Sequence, residues 1–310
     1  MPELPEVETV RAGIAATTLG RQVQRVTILD ARSVRRQPAG WEAFSAELQG
    51  QRIESVHRRG KFLWLPLAAD RALVCHLGMS GQVLVRTPQE AKDPQQRIEL
   101  ILGVNAKPEL SMRFIDQRLF GGMHIEQLVP TPDSGPGGYS PEAPSDPRIP
   151  ESVAHIARDL LDPLFDPSHV VSQLLRKQTG IKRALLDQNL MSGVGNIYAD
   201  ESLWRARLHY DQPAASISKR KLTELIAIVQ EVLQAAVTAG GTSFDEQYKN
   251  VNGESGYFSV ALEAYGREGE ACSRCGSQIV RKAWANRGSH FCPRCQRLRR
   301  AKLEYSTRKG

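Results

Sequence analysis

Four of the chain's five cysteines fall into two pairs, Cys272-x2-Cys275 and Cys292-x2-Cys295, with 16 residues between the pairs. Thiolates two apart sit on tight knuckles whose backbone N–H groups face sulfur. Two such knuckles supply a closed tetrahedral S4 donor set, which suits zinc. Ile279, Val280, Trp284 and Phe291 between them alternate enough for a β-hairpin. The segment 266–310 is too short to bury much of a core, so a metal must staple it. All four ligand positions are filled and none is open to substrate, so one structural ion is expected. Cys75 lies between Val74 and His76 in an apolar stretch and reads as a small buried hydrophobe.

The same segment holds the charge excess. It carries 12 Lys+Arg against 3 Asp+Glu, whereas the other 265 residues carry 29 against 31. A basic patch confined to one end is the footprint of a polyanion partner, because neutralised phosphates release counterions. On charge alone, a solvated tail is the competing reading.

The remaining residues suffice for two further domains. Pro5 suits a first helical turn, and Val7, Val10 and Ile14 recur at helical spacing up to Gly20. Pro2 and Glu3 therefore precede a helix N-terminus. The runs 23–29, 61–67, 73–77, 83–86, 98–104 and 110–115 are β-type, predicting a sandwich or flattened barrel over 1–130. Seven of the 18 prolines lie between Pro130 and Pro150, so 131–155 reads as a linker. Helical patterns fill 156–265: one capped by Ser168, one from Ile181 to Leu190, and one from Lys221 to Ala239. The turn Gly193-Val194-Gly195-Asn196 either packs or presents N–H groups to a phosphate. The fold class is thus α+β and multidomain, with 266–310 as a zinc-finger hairpin. No apolar run approaches the ~20 residues of a membrane span. The acidic, proline-containing start does not read as a secretory signal, and a cytoplasmic location is expected.

Several motifs fit one family together. The start Pro2-Glu3-Leu4-Pro5-Glu6-Val7-Glu8-Thr9-Val10 resembles that of bacterial formamidopyrimidine-DNA glycosylases, the Fpg branch of the Fpg/Nei family. His76-Leu77-Gly78-Met79-Ser80-Gly81 is similar to the family's wedge loop, and Asp116-Gln117-Arg118-Leu119-Phe120-Gly121 to its gap-filling loop. Asp187-Gln188 with Gly193–Ala199 is similar to its helix–two-turn–helix signature, and Gly256-Tyr257-Phe258 with Tyr265-Gly266-Arg267 to its approach to the zinc finger.

The resemblance implies base excision repair on double-stranded DNA containing oxidised purines or abasic sites, and a monomer is the default expectation. A secondary amine forms an iminium with an opened sugar, and Pro2 becomes such an amine once Met1 is removed. Glu3 would be the general acid–base. Lys61 would donate a proton in β-elimination, and Arg287 would clamp phosphate and assist δ-elimination. Met79, Arg118 and Phe120 would fill the gap left by the flipped nucleotide, and Lys177 and Asn196 would bind phosphate. Lys182 and 244–256 would shape the base pocket. The chain departs from the family at Gln117 and Leu119, where proline and arginine are usual. Gln95 stands in place of a phosphate-binding histidine, with Arg97 as a substitute. A Nei-type enzyme for oxidised pyrimidines and a non-catalytic zinc-finger DNA-binding homologue are the rivals.

Overall fold

A computed structural model describes residues 2–104, 107–242 and 262–299, so Gly256-Tyr257-Phe258 and the pocket segment 244–256 lie outside the described residues. The chain divides into two compact units. One is Met1–Phe165 with Met191–Val194 and Leu233–Ala261; the other is Asp166–Leu190 with Gly195–Val232 and Leu262–Gly310. No helix among the described residues is long and apolar enough to cross a membrane.

The first unit opens on helix α1 (Leu4–Thr18), followed by β1 (Gln22–Ile28), α2 (Gly40–Leu48), β2 (His57–Arg59), β3 (Phe62–Leu67) and β4 (Arg71–His76). Next come β5 (Gln82–Arg86), β6 (Gln96–Val104), β7 (Lys107–Ile115), β8 (Gly122–Pro130) and β9 (Arg148–Pro150). They form two antiparallel sheets, ordered β1-β6-β7-β5 and β2-β3-β4-β8-β9. Val83, Ile98 and Phe114 of the first sheet pack with Leu63, Leu73 and Cys75 of the second, and α1 adds Val7, Val10 and Ile14. This is the expected sandwich with a leading helix.

The second sheet is covered on both faces, because successive strand side chains point opposite ways. Leu63 and Leu65 face the main core, while Trp64 joins Ala72, Val74, Ile149 and Val153 in a separate cluster. Residues 131–155, expected as a linker, supply that second cover. β9 pairs with β8, and Tyr139 bridges Arg58 through N–H···O bonds of 3.0 and 2.8 Å. Gly138 lies so close to the Trp64 ring that a Cβ has no room. The Pro/Gly composition marks a segment that packs without a regular ladder.

The second unit carries α3 (Pro167–Leu174), α4 (Ile181–Leu185), α5 (Asn196–Ala206), the first part of α6 (Lys219–Thr238), and the hairpin β10 (Val280–Trp284) with β11 (Arg287–Phe291). Ser168 does not cap α3. Asp166 does, its carboxylate accepting from the Ser168 and His169 N–H groups, with Pro167 following it. The helix expected to reach Leu190 stops at Leu185.

Candidate active site and metal centre

In the first unit, α1 begins with a reciprocal cap. The Glu3 side chain accepts from the backbone of Glu6, and the Glu3 N–H donates to Glu6 Oε2 at 2.8 Å. Glu6 Oε1 also accepts from the Thr242 N–H and hydroxyl at 2.8 and 3.0 Å. Pro2 and Glu3 are buried immediately ahead of this helix.

The start of α1 and the β2–β3 turn share one support, Ser192-Gly193. The Leu4 N–H donates to the Gly193 carbonyl at 3.1 Å. Gly60, with φ +56°, sits where a Cβ would come within 2.6 Å of Ser192 Oγ. Asp159 completes the tie. Its Oδ2 accepts from the Gly60 N–H at 3.0 Å and from Arg58 at 2.8 Å, and Asp159 bridges Ser192 along the backbone. Arg58 is 2 % exposed and also donates to Glu8 at 2.8 Å, so its buried charge has two carboxylates. Pro2-Glu3 and Lys61 thus emerge within two residues of a common anchor. Neither Asp159 nor Ser192 was found from sequence. A buried Arg-Arg-Gly-Lys turn requiring an acid elsewhere was the available signal.

A second hub holds the wedge and gap-filling loops. Asp116, fully buried, accepts from Ser80 Oγ at 2.6 Å, the Arg118 N–H at 3.1 Å and the Gly121 N–H at 2.8 Å. Arg35 donates to the Gly121 and Phe120 carbonyls at 3.0 and 3.1 Å. These bonds leave Met79, Arg118 and Phe120 exposed, Phe120 by 56 %. His76 Nδ1 accepts from the Gly78 N–H at 3.1 Å. Burial, followed by cations that include Arg36 and Lys61, pushes the His76 pKa down to about 4, so the ring is a neutral acceptor. Arg97 spends its guanidinium on the Asp116 carbonyl, Asp30 and Gln95 Oε1 at 2.9, 3.3 and 2.7 Å. Gln95 is exposed, with φ +61°.

In the second unit, Arg287 is exposed at the start of β11. The neighbouring Gly288 carbonyl accepts from Asn196 Nδ2 at 3.0 Å, so Asn196 fixes the strand that carries Arg287. Lys182, expected near a base pocket, is fully buried. It pairs with Asp200 at 2.7 Å and donates to Ser289 Oγ at 2.7 Å, while Asp200 accepts from the His290 N–H. Lys177 pairs with Asp187 at 2.8 Å, each about one-third exposed.

The four cysteine sulfurs lie within 4.8 Å of one another. The Ser277 backbone N–H, ahead of its hydroxyl, pulls the Cys275 thiol down to about 6, whereas burial pushes Cys292 up to about 12 with its sulfur 3.5 Å from Cys275. A divalent ion removes that conflict by neutralising clustered thiolates. The donor set fits one structural zinc. Cys75 is 1 % exposed in the sheet core and outside this cluster, and burial lifts its thiol to about 12.

Three family models match in succession. They are the formamidopyrimidine-DNA glycosylase N-terminal domain over residues 1–123, the formamidopyrimidine-DNA glycosylase H2TH domain over 156–247, and the zinc finger found in FPG and IleRS over 269–298. The formamidopyrimidine-DNA glycosylase of Leifsonia xyli subsp. xyli is 50 % identical over 300 residues, covering 96 % of this chain and 100 % of the relative. That of Streptomyces coelicolor is 50 % identical over 298 residues, covering 96 % and 98 %. Among solved structures, a Lactococcus lactis FPG variant in complex with Fapy-dG containing DNA is 30 % identical with TM-score 0.79, covering 96 % of this chain and 100 % of that one. A MutM structure in complex with carbocyclic 8-oxo-G containing DNA matches with the same identity, TM-score and coverage. This chain is a member of the formamidopyrimidine-DNA glycosylase family.

Proposed function

We propose that this enzyme is a bifunctional DNA glycosylase and AP lyase that removes oxidised purines, 8-oxoguanine and formamidopyrimidines, from duplex DNA. The observation that carries the reading is the shared anchoring of Pro2-Glu3 and the Lys61 turn on Ser192-Gly193. With Met1 removed, the Pro2 nitrogen attacks C1′ and its lone pair forms the new C–N bond. The base leaves with the electrons of the glycosidic bond. Glu3 protonates the ring oxygen as the sugar opens to the iminium and afterwards shuttles protons. Lys61 serves β-elimination and Arg287 serves δ-elimination, leaving a one-nucleotide gap with phosphorylated ends.

Met79, Arg118 and Phe120 would occupy the void left by the flipped nucleotide. Their exposure on loops fixed by Asp116 supports this, because a wedge works only if its backbone does not yield. Asn196 and Lys177 would meet backbone phosphates. Gln95 and Arg97 would do so more weakly, Arg97 being already engaged with Asp30. The working division is a catalytic 1–130, a helix–two-turn–helix 156–265 and a zinc finger 266–310, acting as a monomer in the cytoplasm.

A cleavage panel tests the reading. Duplexes carrying 8-oxoguanine or formamidopyrimidine should be cut to 3′- and 5′-phosphate ends, and oxidised-pyrimidine duplexes should be cut far more slowly. Faster cutting of the pyrimidine lesions would move the enzyme to the Nei type. Binding without scission of any duplex would make it a non-catalytic homologue.

A further inference from the structure

The second unit carries a basic surface that the excision reading leaves unused. Two adjoining depressions, of about 580 and 910 Å³, share Arg207, Arg297 and Arg299 in their walls. Arg220 lines the first, and Arg274 and Arg294 line the second. Among the described residues, the only carboxylate in either lining is Glu224, which pairs with Lys221 at 2.6 Å. Among the described residues, no carboxylate lies within ion-pair distance of Arg207, Arg220, Arg297 or Arg299.

This surface is built. The Arg299 N–H donates to Gln212 Oε1 at 2.8 Å, Gln212 Nε2 returns a bond to the Arg299 carbonyl at 3.0 Å, and Gln296 donates to the Leu208 carbonyl at 2.9 Å. Arg297 and Arg299 therefore project from a fixed backbone. Arg274 lies 3.9 Å over the Trp204 ring and donates to its carbonyl. Cations held this way lose less freedom on meeting an anion than cations on a free tail.

Along α5 and β11 it is set apart from Asn196 and Arg287, two of the DNA-binding candidates of the same unit, while Lys177, whose carbonyl accepts from the Ala215 N–H at 2.9 Å, adjoins the first depression. Asn196 opens α5, whereas Arg207 closes it in a left-handed conformation. A helix of 11 residues separates its ends by about 16 Å. Likewise, Arg287 starts β11, while Cys292 and Arg294 follow its far end at Phe291, about 13 Å along the strand.

We propose that this surface is a second phosphate-backbone site, holding another segment of DNA while the first site is occupied. The chemistry favours nucleic acid over an acidic protein. Protein interfaces need a buried apolar or aromatic anchor at their centre, and among the described residues the large exposed hydrophobic side chain bordering this surface is Leu298 alone. Phosphate-backbone binding needs only closely set cations, and guanidinium suits phosphate oxygens best. A second site would let the protein pass between DNA segments without releasing both. The inference goes beyond the excision reading and does not depend on Pro2 chemistry.

The test uses the full zinc-loaded chain and two duplexes with different dyes. The chain is saturated with a duplex bearing a stable abasic-site analogue, an undamaged duplex is added, and energy transfer between the dyes reports the ternary complex. Wild type should give transfer that falls steeply with salt. The R207E/R297E/R299E variant should lose at least about tenfold in affinity for the second duplex, with affinity for the first unchanged. Should that variant lose zinc, R297A/R299A serves instead, with the log–log salt slope for the second duplex smaller by about 0.9 per arginine removed. Three results overturn the proposal: no ternary complex with wild type, equal second-duplex binding by the variants, or displacement of the second duplex by polyglutamate as effectively as by unlabelled DNA. Failure of the first duplex to bind would count against the DNA-repair reading instead.

Discussion

The anchored turn of the sandwich and the tip of the zinc hairpin both present a candidate catalytic cation, yet they are held by different means. Lys61 rides on a turn locked by Asp159, Arg58 and Ser192-Gly193, beside a core drawn from two sheets and α1. Arg287 rides on a two-stranded hairpin whose own apolar cluster is little more than Trp204, Ala264, Ile279 and the cysteines. A large core can hold a functional turn through packing and a buried ion pair. A short hairpin must borrow a metal and the Lys182–Asp200 pair. The first arrangement should fail gradually and the second abruptly.

Metal removal separates them most sharply. Zinc binding to small structural sites is worth about 10–16 kcal/mol, and the hairpin has nothing of that size to replace it. Chelation, or Cys292→Ser, should abolish duplex binding and expose 266–299 to protease while the sandwich keeps its thermal transition. Survival of the hairpin without metal would erase the contrast.

The buried pairs should give the next largest effects. Asp159→Asn leaves the Arg58 charge with Glu8 alone, and Lys182→Met leaves Asp200 buried without its cation. Each should cost about 3–5 kcal/mol in urea titrations. Asp159→Asn should lower the stability of the sandwich and Lys182→Met that of the helical unit. If each variant lowered both alike, the units would not be held independently.

Acid should act on the sandwich. His57, fully buried against Trp64, has its pKa pushed down to about 4 by burial. Its value in the unfolded chain is about 6.5, so between those limits the unfolded state binds more protons. Stability from this residue is complete above about pH 6.5 and is lost as pH falls toward 4. The shift corresponds to on the order of 3 kcal/mol. His57→Gln should flatten the pH dependence of the sandwich transition. An unchanged profile would remove the histidine as its cause.

The smallest effect should come from the turn itself. Gly60→Ala places a methyl within 2.6 Å of Ser192 Oγ at a positive φ, and should cost about 1–3 kcal/mol. Adding Ser192→Gly should recover the steric part and leave the backbone part. No recovery would mean that Gly60 does not rest on Ser192.

Residue chemistry made some of these elements legible and hid others. The zinc site could be read because four thiols at short spacing have few other uses, and the core strands because their apolar runs are long. β2 was missed because His57-Arg58-Arg59 looks like a solvated turn. It is buried only because Glu8 and Asp159, distant in sequence, neutralise Arg58. β8 was missed although Met123 and Ile125 alternate with His124 and Glu126, a half-buried pattern. The Pro-rich stretch misled because proline reports missing ladder bonds and says nothing about packing against Trp64. Within the candidate site, motif position singled out Pro2, Glu3, Lys61 and Arg287. The groups that support their backbone, Asp159, Ser192 and Asp200, and Asp116, which holds the loops of Met79, Arg118 and Phe120, are ordinary residues whose importance comes from what they meet in three dimensions.

The central claim is that the Pro2 amine attacks the sugar. The direct measurement is to incubate the purified protein with an 8-oxoguanine:cytosine duplex and borohydride, then locate any covalent adduct by peptide mass. The account predicts a reduced adduct on an N-terminal proline lacking Met1, and none in Pro2→Gly. No adduct, with Met1 shown to be absent and the duplex bound, would contradict it, as would an adduct on a lysine side chain.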